Sequence, residues 1–150
     1  MRKPVVAITM GDPAGVGPEL IVKALAGRMI RAKADPLVIG DAGILNFMAD
    51  KLGVKPLAPD EIVSASELDI KKIRPGRPTV ESSRAMISYI EEAVYMAAVG
   101  DVEAVVTCPI NKDAAHMAGF TFPGHTEFIA HLTGAEDYAM MLGGDDLKVI

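Results

Sequence analysis

Val5-Val-Ala-Ile-Thr9 is an apolar run that leads directly into the turn Met10-Gly-Asp-Pro-Ala-Gly-Val-Gly17 and then into Pro18-Glu-Leu20. The run is typical of a buried β-strand. A proline is favourable in the first turn of a helix, where its missing N–H would have no partner, and an acidic neighbour suits the positive end of the helix dipole. The opening of the chain therefore predicts a strand, a glycine-rich turn and a helix that begins at Pro18.

The same alternation of strand and helix continues along the chain. The predicted strands are Leu37–Ile39, a buried strand Glu103–Thr107, and Tyr138–Leu142 and Leu147–Ile150 around a Gly-Gly-Asp-Asp turn. The predicted helices begin at Ile44, span Val80–Gly100, and begin again at His125 or Thr126. The stretch 58–78 is predicted to be irregular, with β-like pieces at Ile62–Val63 and Leu68–Ile70. The Met140-Met141 pair is expected to lie in the core. Strands that alternate with helices favour a mostly parallel sheet covered on both faces. We therefore expect an α/β protein with three α/β/α layers.

The composition of the chain indicates which kinds of partner and which cellular compartment to expect. The chain has 150 residues, half of them apolar, and a formal net charge of −5, which argues against nucleic acid or an anionic membrane as the main partner. Cys108 is the single cysteine, so no intrachain disulfide can form and a reducing cytoplasm is the natural setting. The N-terminus lacks the apolar core of a signal peptide, and no apolar run is long enough to span a membrane. We expect a soluble cytoplasmic protein.

Two polar segments follow the strand that ends at Thr107: Thr107-Cys-Pro-Ile-Asn-Lys112 and Phe122-Pro-Gly-His-Thr-Glu-Phe128. Loops at the carboxyl ends of parallel strands commonly hold ligands, and these segments indicate a small anionic substrate. Asn111 and Lys112 are candidate anion ligands, with a helix N-cap and a solvated lysine as the alternatives. His125 could donate to a phosphate or polarise a hydroxyl, or lie at the surface, and Thr126 could contact an anion or cap the helix.

The turn after the first strand leaves two interpretations open. Its glycines at 11, 15 and 17 match neither a dinucleotide-binding fingerprint nor a P-loop. Asp12, Gly15 and Gly17 could line a ligand site, or the glycines could only allow a tight turn. His116 and His131 have no metal-ligand spacing to His125, and Cys108 has no basic partner, so structural roles are favoured for all three. We expect no metal site within this chain.

Three motifs taken together resemble one family. Ile8–Leu20, Thr107–Lys112 and Ala118–Phe128 closely resemble the PdxA family, the 4-hydroxythreonine-4-phosphate dehydrogenases of pyridoxal phosphate biosynthesis and relatives that act on 4-phosphorylated threonate or erythronate. The resemblance runs along the whole chain. It implies a fold like that of isocitrate and isopropylmalate dehydrogenases, and the turn Gly11–Glu19 is similar to one in the latter enzymes.

The resemblance also implies a reaction and a set of site residues. Family members oxidise a secondary alcohol with NAD or NADP and a divalent metal (Zn, Mg or Co), and the resulting β-keto acid is decarboxylated. By this resemblance His125 and Thr126 contact the phosphorylated hydroxy-acid substrate, and Asn111 and Lys112 belong to the Pro-x-x-Lys segment beside it. Family members are homodimers about twice this length, and their three metal-binding histidines lie in the other half. Residues 1–150 are therefore expected to be a truncated, N-terminal portion that is inactive alone.

Two other functions stay open from the sequence. One is acyl transfer of the phosphotransacetylase type, which uses a similar fold without NAD, although the Gly-His-Thr-Glu and Asp-Pro-Ala-Gly motifs speak against it. The other is a non-catalytic anion-binding module or a split subunit that a second chain completes.

Overall fold

Four parallel strands form the central sheet: β1 Val5–Thr9, β2 Asp35–Gly40, β3 Ile62–Ser64 and β4 Ala104–Thr107. In the computed structural model, which describes residues 2–144 and 146–150, the strand order is β3-β2-β1-β4. Ala7 of β1 pairs with Leu37 on one side and with Val105 on the other. The predicted parallel α/β architecture is confirmed.

Helices connect the strands and cover both faces of the sheet. They are α1 Gly17–Ala26, α2 Arg28–Lys33, α3 Ala42–Leu52, α4 Val80–Val99, α5 Lys112–Met117 and α6 His125–Thr133. Parallel strands are joined by right-handed crossovers, so α1 and α3, which follow β1 and β2 towards one edge, share a face. The chain then reverses direction across the sheet from β3 to β4, which puts α4 on the opposite face. No helix among the described residues is both long and apolar enough to cross a bilayer.

Two apolar cores stabilise this arrangement. The main core joins the sheet to the helices, and its fully buried members include Ala7, Val38, Ile39, Leu45 and Tyr89. A second, smaller core, which we call the aromatic core, packs α4 against α5 and α6. Its buried residues are Met86, Ile90, Val94, Ala115, Phe120 and Phe128. Because α4 contributes to both cores, it fixes α5 and α6 relative to the sheet.

Several segment predictions need correction. The segment predicted as a buried strand at 103–107 is an edge strand: Val105 packs on the main core, but Val106 points the other way and is 51% exposed, since no described element covers that face. Residues 68–70 form no strand, because Leu68 N donates to Asp41 and a 3-10 helix follows at Ile70–Lys72. Helix α2 was not predicted at all.

The C-terminal segment also differs from the prediction. Its strands are shorter than expected, β5 Leu142–Gly143 and β6 Lys148–Val149, and they pair antiparallel. Met140 and Met141 are exposed rather than in the core, because no described residue of the sheet or helices packs over them. The Gly-Gly-Asp-Asp turn predicted between the strands includes Asp145, which lies outside the described residues.

Candidate active site

The sheet has a topological switch point between β1 and β4. From β1 the chain winds outward through β2 and β3, and β4 is then added on the other side of β1. At such a point the connections from two neighbouring strands lead to opposite faces of the sheet, and ligands of open α/β sheets bind beside the carboxyl ends of those strands. Asp12, Gly15 and Gly17 follow β1 and Asn111 and Lys112 follow β4, whereas His125 and Thr126 lie farther along the chain, at the start of α6.

Backbone contacts hold the two loops together at the switch point. Cys108 N donates to Thr9 O at 3.1 Å, and Asp12 N donates to Pro109 O at 3.1 Å. Gly11 has a φ of +69°, and a Cβ atom at that position would lie 2.4 Å from Pro109 O. Only glycine satisfies both conditions. The close approach of the first turn to the loop after β4 therefore depends on Gly11.

The turn after β1 is organised from inside by Asp12. This residue is 5% exposed and its Oδ1 accepts from Ala14 N at 2.8 Å, while Asp12 O accepts from Gly15 N at 2.9 Å. Burial raises the pKa of Asp12, and the hydrogen bond from Ala14 opposes that rise. Gly17 is needed for packing, since a Cβ there would lie 1.9 Å from Met10 O. The tight-turn interpretation is thus sufficient for Asp12, Gly15 and Gly17, and a ligand role for them stays a prediction.

The aromatic core fixes the start of α6. Phe128 in the first turns of this helix packs edge-on against Phe120, with ring centroids 4.9 Å apart, and Phe122 lies 5.1 Å from Phe128. Such pairs add to the free energy of simple burial. His125 is the first residue of α6, three positions before Phe128. The aromatic core therefore fixes the helix start from which the side chain of His125 extends.

His125 and Lys112 meet at this helix start. Lys112 Nζ and Cε each lie 3.7 Å from the position that a Cβ on Gly124 would occupy. His125 Nε2 is buried and has no hydrogen-bond partner among the described residues. Burial lowers the pKa of His125 below its ordinary 6.5, and the positive charge of Lys112 lowers it further. Glu127 Oε2 also lies 3.7 Å from the position of a Cβ on Gly124. At neutral pH the site thus combines a neutral imidazole, the Lys112 ammonium, the Glu127 carboxylate and the N-terminal amides of a nine-residue helix.

The alternatives left open for Thr126 and Asn111 are resolved in part. Thr126 does not cap α6, because Gly124 occupies the N-cap position and no side-chain cap bond is made. Asn111 does cap α5: its Oδ1 accepts from Ala114 N at 3.0 Å. The cap holds Lys112 at the first position of α5, where its exposed ammonium reaches Gly124.

The remaining histidines and the cysteine have structural contacts. His116 Nδ1 lies 2.7 Å from Phe120 O, and the ring of His131 lies 5.0 Å from that of Phe122. Cys108 is buried, which raises the pKa of its thiol. Among the described residues, no group of three or more His, Cys, Asp or Glu side chains is arranged to hold a metal ion. The residues described do not provide a metal centre.

The sequence did not reveal a buried polar network at the carboxyl end of β2. Asp41, which caps α3, accepts hydrogen bonds from Ser66 Oγ at 2.9 Å and Leu68 N at 2.7 Å. The hydroxyls of Ser66 and Tyr89 are 2.6 Å apart. Burial raises the pKa of Tyr89, so its phenol stays protonated. The network ties residues 66–68 to α3 and α4, and only the capping position of Asp41 could have been found from sequence.

Comparison with known proteins agrees with the geometry. The sequence profile of the family described as "Pyridoxal phosphate biosynthetic protein PdxA" matches residues 32–150, which is more than half of the chain. The chain belongs to the PdxA family. This finding confirms the resemblance drawn from the three motifs, and the motifs at Thr107–Lys112 and Ala118–Phe128 lie within the matched residues.

Individual PdxA-family relatives cover nearly the whole chain. A 4-hydroxythreonine-4-phosphate dehydrogenase of Desulfosudis oleivorans is 44% identical over 99% of this chain and 48% of its own length. A D-threonate 4-phosphate dehydrogenase of Cupriavidus necator is 42% identical over 98% of this chain and 48% of its own. The crystal structure of a 4-hydroxythreonine-4-phosphate dehydrogenase from Burkholderia phymatum superposes with a TM-score of 0.85 at 35% identity, covering 99% of this chain and 49% of that one.

The chain therefore spans about half the length of the PdxA-family relatives that it matches. The fold shared with the Burkholderia phymatum enzyme extends over that half, which includes the switch point and the start of α6.

Proposed function

We propose that this chain is the N-terminal portion of a dehydrogenase that oxidises a hydroxyl group of a 4-phosphorylated hydroxy acid with NAD or NADP, followed by decarboxylation. The substrate is 4-hydroxythreonine 4-phosphate or a related compound such as D-threonate 4-phosphate, in pyridoxal phosphate biosynthesis or sugar-acid catabolism. Family membership and the names of the relatives support the reaction class. They favour a dehydrogenase over the acyltransferase alternative.

The observation that carries the proposal is the pairing of Lys112 with His125 at the start of α6. A buried ring nitrogen without a partner is unfavourable unless a ligand provides one. A lysine ammonium and helix N-terminal amides attract an anion to the same point. A phosphorylated substrate with hydroxyl groups satisfies both requirements. Its phosphate meets Lys112 and the amides, and one of its oxygens meets His125 Nε2 or the hydroxyl of Thr126.

The protonation state of His125 suits a polar but uncharged contact. Because burial and Lys112 both lower its pKa, the imidazole is neutral when the substrate arrives, and Nε2 can accept a hydrogen bond or donate one, depending on the tautomer. Lys112 then supplies the positive charge while His125 orients the substrate. Asn111 contributes indirectly, because its cap sets the start of α5 and hence the position of Lys112.

The remaining parts of the reaction are assigned outside the described residues. The nicotinamide cofactor supplies the hydride acceptor when bound. The residues described do not fit a divalent metal site, so we route no step through a metal and propose that its ligands belong to the other half of a full-length protein. We also propose that the full-length protein is a cytoplasmic homodimer. The 150-residue chain alone is then expected to bind substrate without turning it over.

Calorimetric titration of the 150-residue chain with 4-hydroxythreonine 4-phosphate tests the proposal. We expect saturable binding that weakens about tenfold or more in Lys112→Ala and in His125→Asn, because each loses a contact to a charged group. His131→Asn is the matched control, since it removes a histidine from the exposed end of the same helix. Equal binding by Lys112→Ala, His125→Asn and His131→Asn would contradict the assignment of the site.

Turnover is a separate readout. No reduction of NAD or NADP by the 150-residue chain is expected with either phosphorylated substrate and a divalent metal present. Turnover by the purified chain would show that the described residues form a complete active site and would overturn the assignment of the metal to another half.

A further inference from the structure

A second cavity, of about 390 Å³, lies apart from Lys112 and His125, between α3 and the segment 70–75. Ile44 and Met48 of α3 line it on one side, and Ile70 and Ile73 line it on the other. The backbone of the first turn at Pro13–Gly15 closes one end. Gly76 N donates to Ala14 O at 2.8 Å, so the segment is hydrogen-bonded to the turn. The volume is within the range of small-molecule sites.

The charged residues that line this cavity are all basic. Lys51, Lys71 and Arg74 line it and are exposed, and none of its lining residues is acidic, in a chain whose net charge is −5. Among the described residues, none of these three cations forms an ion pair within 4 Å. Arg74 Nη1 donates to Lys71 O at 2.7 Å, which holds the guanidinium over the segment. Two carboxylates lie near these cations without forming an ion pair within 4 Å: Glu19 interacts with the charge of Lys51, and Asp69 Oδ1 accepts from Lys71 N at 3.0 Å. Because the lining itself carries only positive charge, the cavity attracts a ligand with a negative group.

The apolar part of the lining includes an aromatic ring. Phe47 lies at the cavity and is 49% exposed, so a face or edge of its ring is accessible to a ligand. Aromatic rings pack on each other in offset or edge-on geometry, and this packing contributes more binding free energy than the buried apolar area alone. The thioether of Met48 also interacts well with aromatic rings. The cavity therefore combines an aromatic-binding surface with a cationic mouth.

We propose that this cavity binds a phosphate ester of an aromatic ring. The ring packs between Phe47, Met48 and the isoleucines, and the phosphate meets Lys51, Lys71 and Arg74. The site does not depend on the proposed function, because it shares no residue with the Lys112–His125 site.

Titration of the chain with 1-naphthyl phosphate, compared with 1-naphthol and inorganic phosphate, tests the inference. The phosphate ester is expected to bind about tenfold or more tightly than either part alone, because it engages both the cations and the apolar lining. The double variant Lys51→Glu/Lys71→Glu should weaken its binding by about tenfold or more. Phe47→Ala should also weaken it, whereas His125→Asn should leave it unchanged.

The matched control is Lys33→Glu/Lys148→Glu, which makes the same change in net charge with exposed lysines outside the segments that line the cavity. It should bind 1-naphthyl phosphate within about twofold of the parent chain, since distant exposed charges are screened by salt. An equal loss in both double variants would overturn the inference, because it would show a general charge effect. Equal binding of 1-naphthol and its phosphate, or absence of saturable binding, would also overturn it.

Discussion

Replacement of Gly11 by alanine tests how the two loops meet at the switch point. Two costs are expected. A left-handed backbone costs a residue with a Cβ about 1–2 kcal/mol. The new Cβ would also lie 2.4 Å from Pro109 O, whereas ordinary contacts begin at 3.4 Å, so the loops must separate by about 1 Å. Overpacking of this kind costs about 1–3 kcal/mol. Gly11→Ala should therefore lose about 2–5 kcal/mol of unfolding free energy.

Gly53→Ala is the matched control because it has the cost of a left-handed backbone without the steric clash. Gly53 has a φ of +65° at the end of α3, and nothing lies within 4 Å of the position of its Cβ. Gly53→Ala should therefore lose about 1–2 kcal/mol of unfolding free energy. Urea unfolding followed by circular dichroism measures both variants. In thermal melts, each kcal/mol corresponds to about 2–4 °C in a chain of this size.

The same pair of variants also separates stability from binding. Displacement of Pro109 moves the loop that carries Asn111 and Lys112, so Gly11→Ala should weaken binding of 4-hydroxythreonine 4-phosphate under conditions where both variants are folded, while Gly53→Ala should not. Equal unfolding free energies and equal affinities in the two variants would refute the reasoning, because the contact with Pro109 would then have no energetic effect.

Three further predictions concern the pH dependence, the buried network and the aromatic core. The pKa of His125 lies below 6.5 in the folded state, so the folded state binds this proton less tightly than the unfolded state does. The free energy of unfolding should therefore fall as the pH falls through 6.5. Thermal melts between pH 7 and pH 5 should show a smaller decline of the melting temperature in His125→Asn than in the parent chain. Asp41→Ala should lose about 2–4 kcal/mol in urea unfolding, because it removes a helix cap and leaves buried donors unpaired, whereas the exposed Asp50→Ala on the same helix should change little. Phe128→Leu should lose about 1–3 kcal/mol and also weaken substrate binding in calorimetry, because it loosens the start of α6.

The sequence predicted strands and helices well where a hydrophobic periodicity was bounded by a glycine, a proline or another turn residue. The strand at Val5–Thr9 was predicted with its exact ends, and the long helix ends at Val99 because Gly100 adopts a φ of +85°. The helix after Gly124 was predicted to begin at His125 or Thr126 and begins at His125. In each case a short-range rule of backbone geometry decides the outcome, and such rules can be read from neighbouring residues.

Properties that depend on distant residues were not predictable in the same way. A run such as Ala104-Val-Val-Thr107 has the same composition in a central strand and in an edge strand, so the sequence could not show that Val106 would be exposed. The network of Asp41, Ser66 and Tyr89 joins residues that are more than 20 positions apart. The cavity that carries Lys51, Lys71 and Arg74 is likewise assembled from three separate segments.

The sequence predicted which residues belong to the candidate site better than it predicted how they are arranged. The motifs selected Lys112 and His125, and the structure brings them together at Gly124. Asn111 had two open roles, and the cap to Ala114 N identifies one of them. His125 Nε2 is buried without a hydrogen-bond partner among the described residues, a property that no local pattern contains.

The most direct test of the central claim is an NMR titration of the His125 imidazole with and without 4-hydroxythreonine 4-phosphate. In the free chain we expect a pKa below 6.5, which rises towards its ordinary value in Lys112→Ala, because the neighbouring cation is removed. Bound substrate should raise the pKa of His125, because a phosphate dianion stabilises the imidazolium, and should leave the resonances of His131 unchanged. A His125 pKa that responds neither to the substrate nor to the loss of Lys112 would contradict the claim that these two residues form the anion site.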